Sequence, residues 1–186
     1  MPQVATRRMT FDQFFRLPEE DLRYELVDGR LDPLMPPDIA HGTSQSRIAY
    51  YLYAYLGPDF KGILGTEIDF PTLPFQGRRG DLLFVAPEHV TQADWDRGYP
   101  SSPPDLVIEV VSAGQEQRDY GEKLREYAMV GIGNYWIVDP MRRAVQLFVL
   151  DGEKYRLDHH FQGDDVLTSP LFPGLQIPLA SLFSRP

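Results

Sequence analysis

Two short apolar blocks, each carrying a carboxylate, constrain this chain more than any other feature. The first is Gly80-Asp81-Leu82-Leu83-Phe84-Val85, and the second is Pro104-Asp105-Leu106-Val107-Ile108-Glu109-Val110-Val111-Ser112. Aliphatic and β-branched residues run together between turn formers, a pattern that reads as short buried strands. Such strands seldom hold carboxylates, because an unpaired buried charge is costly. Asp81 at the mouth of one strand and Glu109 in the middle of the other therefore need a cation nearby. A divalent metal would serve, and so would the ammonium of Lys123 on a downstream helix.

Strand geometry narrows the pairing. Residues two apart share a face, so Asp105, Val107, Glu109 and Val111 point one way. Asp105 and Glu109 lie about 13 Å apart at roughly 3.3 Å per residue, too far to chelate one ion. Asp81 is the better partner for Glu109 if Pro87–Pro104 closes the two strands into a hairpin. That excursion has four prolines and no clear period, so it reads as a surface segment, here expected to overhang a substrate channel.

Lys123 flanks a helical stripe of Tyr120, Leu124, Tyr127, Ala128 and Gly131, from which it can snorkel toward Glu109. It is one of only three lysines, with Lys61 and Lys154. Two carboxylates and a lysine suit metal-assisted hydrolysis of a phosphodiester. They also suit a buried Glu109–Lys123 ion pair with Asp105 capping a strand, and the residues alone leave both readings open.

The rest of the chain frames these blocks. Thr10-Phe11-Asp12-Gln13 opens a short helix with a capping box, and Tyr24–Val27, Asp28-Gly29 and Arg30-Leu31 form a hairpin. Apolar residues at helical spacing predict an amphipathic helix over Thr43–Leu56, stopped at Gly57-Pro58. Strands are expected at Gly62–Pro71, Asp81–Val85, Leu106–Val111 and Tyr135–Val138, with a helix near Gln117–Val130. Short β segments follow at Val145–Leu150, Lys154–Leu157 and Leu175–Ile177. His159-His160 reads as a surface turn, and Tyr135-Trp136 as core or a dimer surface. The order points to one mixed-sheet α/β domain over residues 1–186.

With 186 residues and 42% hydrophobic composition, the chain can bury a sizeable core. It has no cysteine, which excludes disulfides, thiolate metal sites and a cysteine nucleophile. No apolar run reaches the roughly 20 residues that cross a bilayer. Met1–Met9 lacks a signal core, so the cytoplasm is the expected location. A formal net charge of −9 argues against a protein that coats nucleic acid broadly, but not against a local nuclease site.

The order of these segments resembles the PD-(D/E)XK, or restriction-endonuclease-like, nuclease superfamily. More narrowly, it resembles the bacterial Uma-type family of restriction endonucleases. The resemblance is carried by Tyr24–Gly29, His41-Gly42, Gly80-Asp81 and Pro104–Ser112. It continues through Asp119, Lys123, Tyr127, Gly131 and Tyr135–Pro140, and covers roughly residues 10 to 180. It implies a mixed central sheet flanked by helices, with additional C-terminal β segments. It also implies DNA as substrate, Mg²⁺ or Mn²⁺ as cofactor, a homodimer, and Asp81, Glu109 and the Val110 carbonyl as metal ligands. Glu25 would be an added acidic residue of the site, or else an exposed hairpin glutamate. The superfamily's lysine two residues after the glutamate is replaced by Val111, and Lys123 could take over its part. His41 could meet phosphate or merely start a helix, and Gln115 and Asp119 lie near where substrate would enter, with Asp119 equally readable as a charge at a helix N-terminus. A catalytically silent module that binds protein or nucleic acid is the alternative.

Overall fold

A computed structural model describes residues 8–18 and 23–184. Residues 1–7 of the Met1–Met9 stretch lie outside it. The described elements run α1 (Phe11–Phe15), β1 (Tyr24–Val27), β2 (Arg30–Pro33), α2 (Ile39–Leu56), β3 (Ile63–Pro71), β4 (Gly77–Val85), α3 (Gln92–Arg97) and β5 (Leu106–Val110). Then come a π-helical turn at Arg118–Lys123, α4 (Leu124–Val130), β6 (Asn134–Asp139), β7 (Ala144–Asp151), β8 (Lys154–Gln162), β9 (Val166–Ser169), β10 (Phe172–Pro178) and α5 (Leu179–Phe183).

One mixed sheet takes the order β2-β1-β4-β5-β6-β7-β8, with β3 also paired to β4; β9 and β10 form a separate pair. Among the described strands, only β5 and β6 run parallel, and the helical crossover between them is the length such a connection needs. β5 is buried at every position, as a strand covered on both faces should be. On one face, Ile48 and Leu52 of α2 and Leu182 of α5 pack with Leu82, Ile108 and Trp136. On the other, Tyr127 of α4 packs with Leu83, Val107, Tyr135 and Ile137. Tyr135 and Trp136 are thus both core residues. Among the described residues, no helix is long and apolar enough to cross a membrane.

Several elements differ from expectation for identifiable reasons. Helix α2 begins at Ile39, ahead of Thr43, because the Asp38 side chain caps it by accepting from the His41 N–H at 2.8 Å. The excursion holds α3, tied by an Asp94 carboxylate that accepts from Thr91 and Ser101. His159 and His160 lie within β8, paired with Leu147 and Gln146, and so are strand residues and not a turn. The predicted helix near Gln117–Val130 is α-helical at 116–117, winds as a π-helix over Arg118–Lys123 and is α-helical again from Leu124.

Candidate active site

The site forms where the sheet forks. β1 joins β4 at Leu26–Gly77, and β5 joins the same strand at 82–84, with Leu82 opposite Ile108. The next rung beyond Leu82–Ile108 brings Asp81 beside Glu109. Between the two neighbours, the β4 edge is served by side chains. Glu25 Oε1 accepts the Arg79 N–H at 3.1 Å, and Asp81 Oδ2 accepts the Val110 N–H at 2.6 Å.

A cavity of about 80 Å³ opens at this fork. Its lining includes Glu25, His41, Asp81, Glu109, Val110, Ser112, Gln115, Arg118, Asp119 and Lys123. The structure therefore gathers every site residue singled out above into one place. None of the lining residues comes from 87–104. That segment packs on α1 instead, where the Tyr99 ring meets Phe11 and Phe15 and its hydroxyl donates to Asp12 at 2.5 Å. It does not overhang the cavity.

Glu109 is buried, and both of its oxygens are engaged. The Tyr127 hydroxyl donates to Oε1 at 2.7 Å, and Lys123 Nζ stands 2.8 Å from Oε2. Tyr127, read above as part of an apolar stripe, thus also carries a polar contact. Lys123 Nζ also lies 3.2 Å from Asp119 Oδ1. Asp119 and Lys123 stand four residues apart on the π turn, and the Asp119 carbonyl accepts from the Tyr135 hydroxyl at 3.1 Å.

One lysine serves several acids. Burial pushes the Glu109 carboxyl up to about 8 against the pull of Lys123, and Asp81, Asp119 and Glu25 push the same way. Asp119 is raised too, again chiefly by burial. Burial opposes the charge on Lys123, but Glu109 and Asp119 outweigh it and hold the ammonium well above its ordinary range. A proton or a cation is therefore welcome at this cluster.

Glu25 is fully buried, not exposed on its hairpin. It pairs with Arg78 at 2.9 Å and with Arg118, which also meets Asp32 at 3.0 Å. Burial alone would raise the Glu25 carboxyl, but Lys123, Arg78 and Arg118 hold it below its usual value. Arg78 in turn forks onto Glu126 of α4, with Nη2 2.6 Å from Oε2. The sequence reading missed Arg78, Arg118, Gln45 and Ser112. Their one visible signal was an Arg-Arg pair directly before Gly80-Asp81.

His41 of α2 sits over Asp81, with Nε2 3.2 Å from Oδ1, and its Nδ1 is 3.0 Å from Ser112 Oγ. Burial disfavours the imidazolium, but the Asp81 hydrogen bond and charge raise its pKa overall.

Among the described residues, no group of three or more His, Asp or Glu side chains is arranged to hold a metal. Two carboxylates at one cavity do fit Mg²⁺, which keeps waters and substrate oxygens in place of an all-protein cage. The surplus acid around Lys123 fits the same ion.

No curated protein matches the sequence. Among solved structures, the chain is similar to the crystal structure of a "putative nuclease belonging to DUF820" from Anabaena variabilis. The TM-score is 0.74 at 20% identity, covering 94% of this chain and 97% of that one. That likeness establishes the fold. The sequence itself matches the Uma2 family, described as "Putative restriction endonuclease", over residues 11–180, and the chain belongs to that family.

Proposed function

We propose that the chain is a divalent-metal-dependent nuclease that hydrolyses DNA phosphodiester bonds in the cytoplasm, working as a homodimer of single-domain subunits. The observation that carries this reading is the meeting of Asp81, Glu109 and Lys123 at one cavity, with Nζ 2.8 Å from the Glu109 carboxylate. Asp81, Glu109 and the Val110 carbonyl would hold Mg²⁺ or Mn²⁺. When bound, such an ion supplies Lewis-acid polarisation of the phosphate and an acidified water.

The chain's own residues do the remaining work. Lys123 stays charged, so it offsets negative charge that builds on the phosphate and steers the attacking water by hydrogen bonding. Tyr127 fixes the Glu109 carboxylate from the side opposite Lys123. Glu25 acts through Arg118, holding that guanidinium at the cavity wall, where a phosphate oxygen can meet it.

The test is cleavage of supercoiled plasmid by the purified protein with Mg²⁺ or Mn²⁺. The expected result is nicking that chelation abolishes and that Glu109→Gln reduces at least about 100-fold. Equal nicking by wild type and Glu109→Gln would refute the assignment. DNA binding with no cleavage under either metal would favour the silent module.

A further inference from the structure

His41, Gln45 and Ser112 have no role in the account above, yet their polar groups are organised around Asp81. The reason begins in the strands. The β3–β4 register pairs Thr66 with Leu82 and Ile68 with Gly80 but skips Glu67 and Asp81. Glu67 takes the left-handed region at φ 58°, which marks an irregular rung. Side-chain alternation slips there. A Cβ on Gly80 would face Val107 and Phe70 of one core cluster, whereas Leu82 belongs to the other. The Asp81 carboxylate is directed at the β5 edge, where it takes the Val110 N–H. A side chain at a slipped rung loses the packing that a regular face supplies.

Helix α2 supplies the missing support. His41 and Gln45 stand one turn apart and share a helix face. Gln45 Nε2 donates to the Asp81 carbonyl at 2.9 Å and to Glu67 Oε1 at 3.2 Å, closing over the irregular rung. His41 Nε2 holds Asp81 Oδ1 at 3.2 Å. A carboxylate only accepts, so Nε2 carries the hydrogen. In the neutral ring, Nδ1 is then the acceptor, and the Ser112 hydroxyl 3.0 Å away donates to it. Both ring nitrogens are therefore committed, on a residue that is only 6% exposed.

We propose that His41 is a positioning residue for Asp81, with Ser112 holding the ring at its other nitrogen, so that together they aim the carboxylate into the cavity. The proposal rests on the metal-dependent reading of the site. A histidine that merely fills the core would need its ring volume but not the identity of its donors.

The test is calorimetric titration of the full chain with MnCl₂, alongside ring ¹⁵N NMR of His41 in the metal-free protein. His41→Phe keeps the bulk and removes both nitrogens. His41→Gln keeps a donor toward Asp81, and Ser112→Ala leaves the ring in place. The wild-type neutral ring should be the Nε2–H tautomer that the Asp81 carboxylate imposes, and Ser112→Ala should keep that tautomer while shifting the Nδ1 resonance, which loses its donor. His41→Phe should weaken Mn²⁺ binding about 10- to 100-fold, as loss of a group orienting a ligand does. His41→Gln should recover most of that loss, and Ser112→Ala should show a smaller loss in the same direction.

Folded His41→Phe with wild-type Mn²⁺ affinity would overturn the positioning role and leave the metal reading standing. If His41→Phe does not fold, Ser112→Ala decides, and unchanged affinity with an unchanged Nδ1 resonance overturns the proposal. Wild type that binds no Mn²⁺ would overturn the metal reading and this role with it.

Discussion

Replacing Arg78 with methionine should be among the most destabilising single changes in the described fold, and the structure says by how much. The residue is 2% exposed. Its guanidinium makes three hydrogen bonds to Glu126, at 3.2, 3.0 and 2.6 Å, and one to Glu25 at 2.9 Å. Glu25 would keep Arg118 and the Arg79 N–H, but buried Glu126 would keep only the Thr72 hydroxyl. Removing one partner of a buried ion pair costs about 3–5 kcal/mol, chiefly through the charge left behind. In a chain of this length, each kcal/mol moves the melting temperature by about 2–4 °C, so a fall of about 6–20 °C is expected. Arg78→Met/Glu126→Met removes the stranded acid as well and should regain most of the loss, because an apolar pair of similar volume often matches a buried ion pair. Urea unfolding of wild type, Arg78→Met, Glu126→Met and the double variant gives the coupling directly. A single variant within about 1 kcal/mol of wild type, or a double variant no better than the single, would refute the reasoning.

Three further outcomes can be measured with the same protein. Lys123→Ala should lower the cleavage rate by at least about 100-fold while Mn²⁺ affinity stays close to wild type. Lys123→Arg should not restore it, because a planar fork does not replace a compact ammonium; full activity in either variant would contradict the role. Asp94→Ala removes the acceptor for Thr91 and Ser101 and should cost about 2–3 kcal/mol, with amide exchange rising first across 91–101. Uniform exchange along the chain would show that Asp94 does not pin that segment. Glu25 and Asp94 are both held below their ordinary values of 4.5 and 3.8, so the native state binds fewer of these protons than the unfolded state. Their contribution is complete above about pH 4.5 and is lost as pH falls through the carboxylate range; an unchanged urea midpoint from pH 5 to 3 would contradict this.

The parts of this molecule that could be read from sequence are those where one residue breaks a strong local pattern. Asp81 and Glu109 stand out because apolar strands penalise carboxylates, and Lys123 because lysine is scarce in this chain. The hairpin at Asp28-Gly29 and the helix stop at Gly57 follow from backbone chemistry alone. What escaped depends on partners distant in sequence. Arg78 meets Glu126 across 48 positions, and His41 meets Ser112 across 71, with no local trace of either contact. Glu25 could be taken as exposed because β1 is four residues long, too short for alternation to reveal a buried acid. The prolines of 87–104 hid α3, whose capping box uses Asp94 in place of the usual glutamate or glutamine.

The proposed chemistry stands on Asp81 and Glu109 acting as ligands of one divalent cation. The most direct measurement is anomalous scattering from crystals of the wild-type protein soaked in MnCl₂. The account predicts one strong peak in the cavity at the fork of β1, β4 and β5, within about 2.0–2.5 Å of oxygens from both carboxylates, and its loss in Asp81→Asn. Crystals that take up Mn²⁺ elsewhere, with the Asp81 and Glu109 oxygens bare and Lys123 still bridging Glu109 and Asp119, would contradict it.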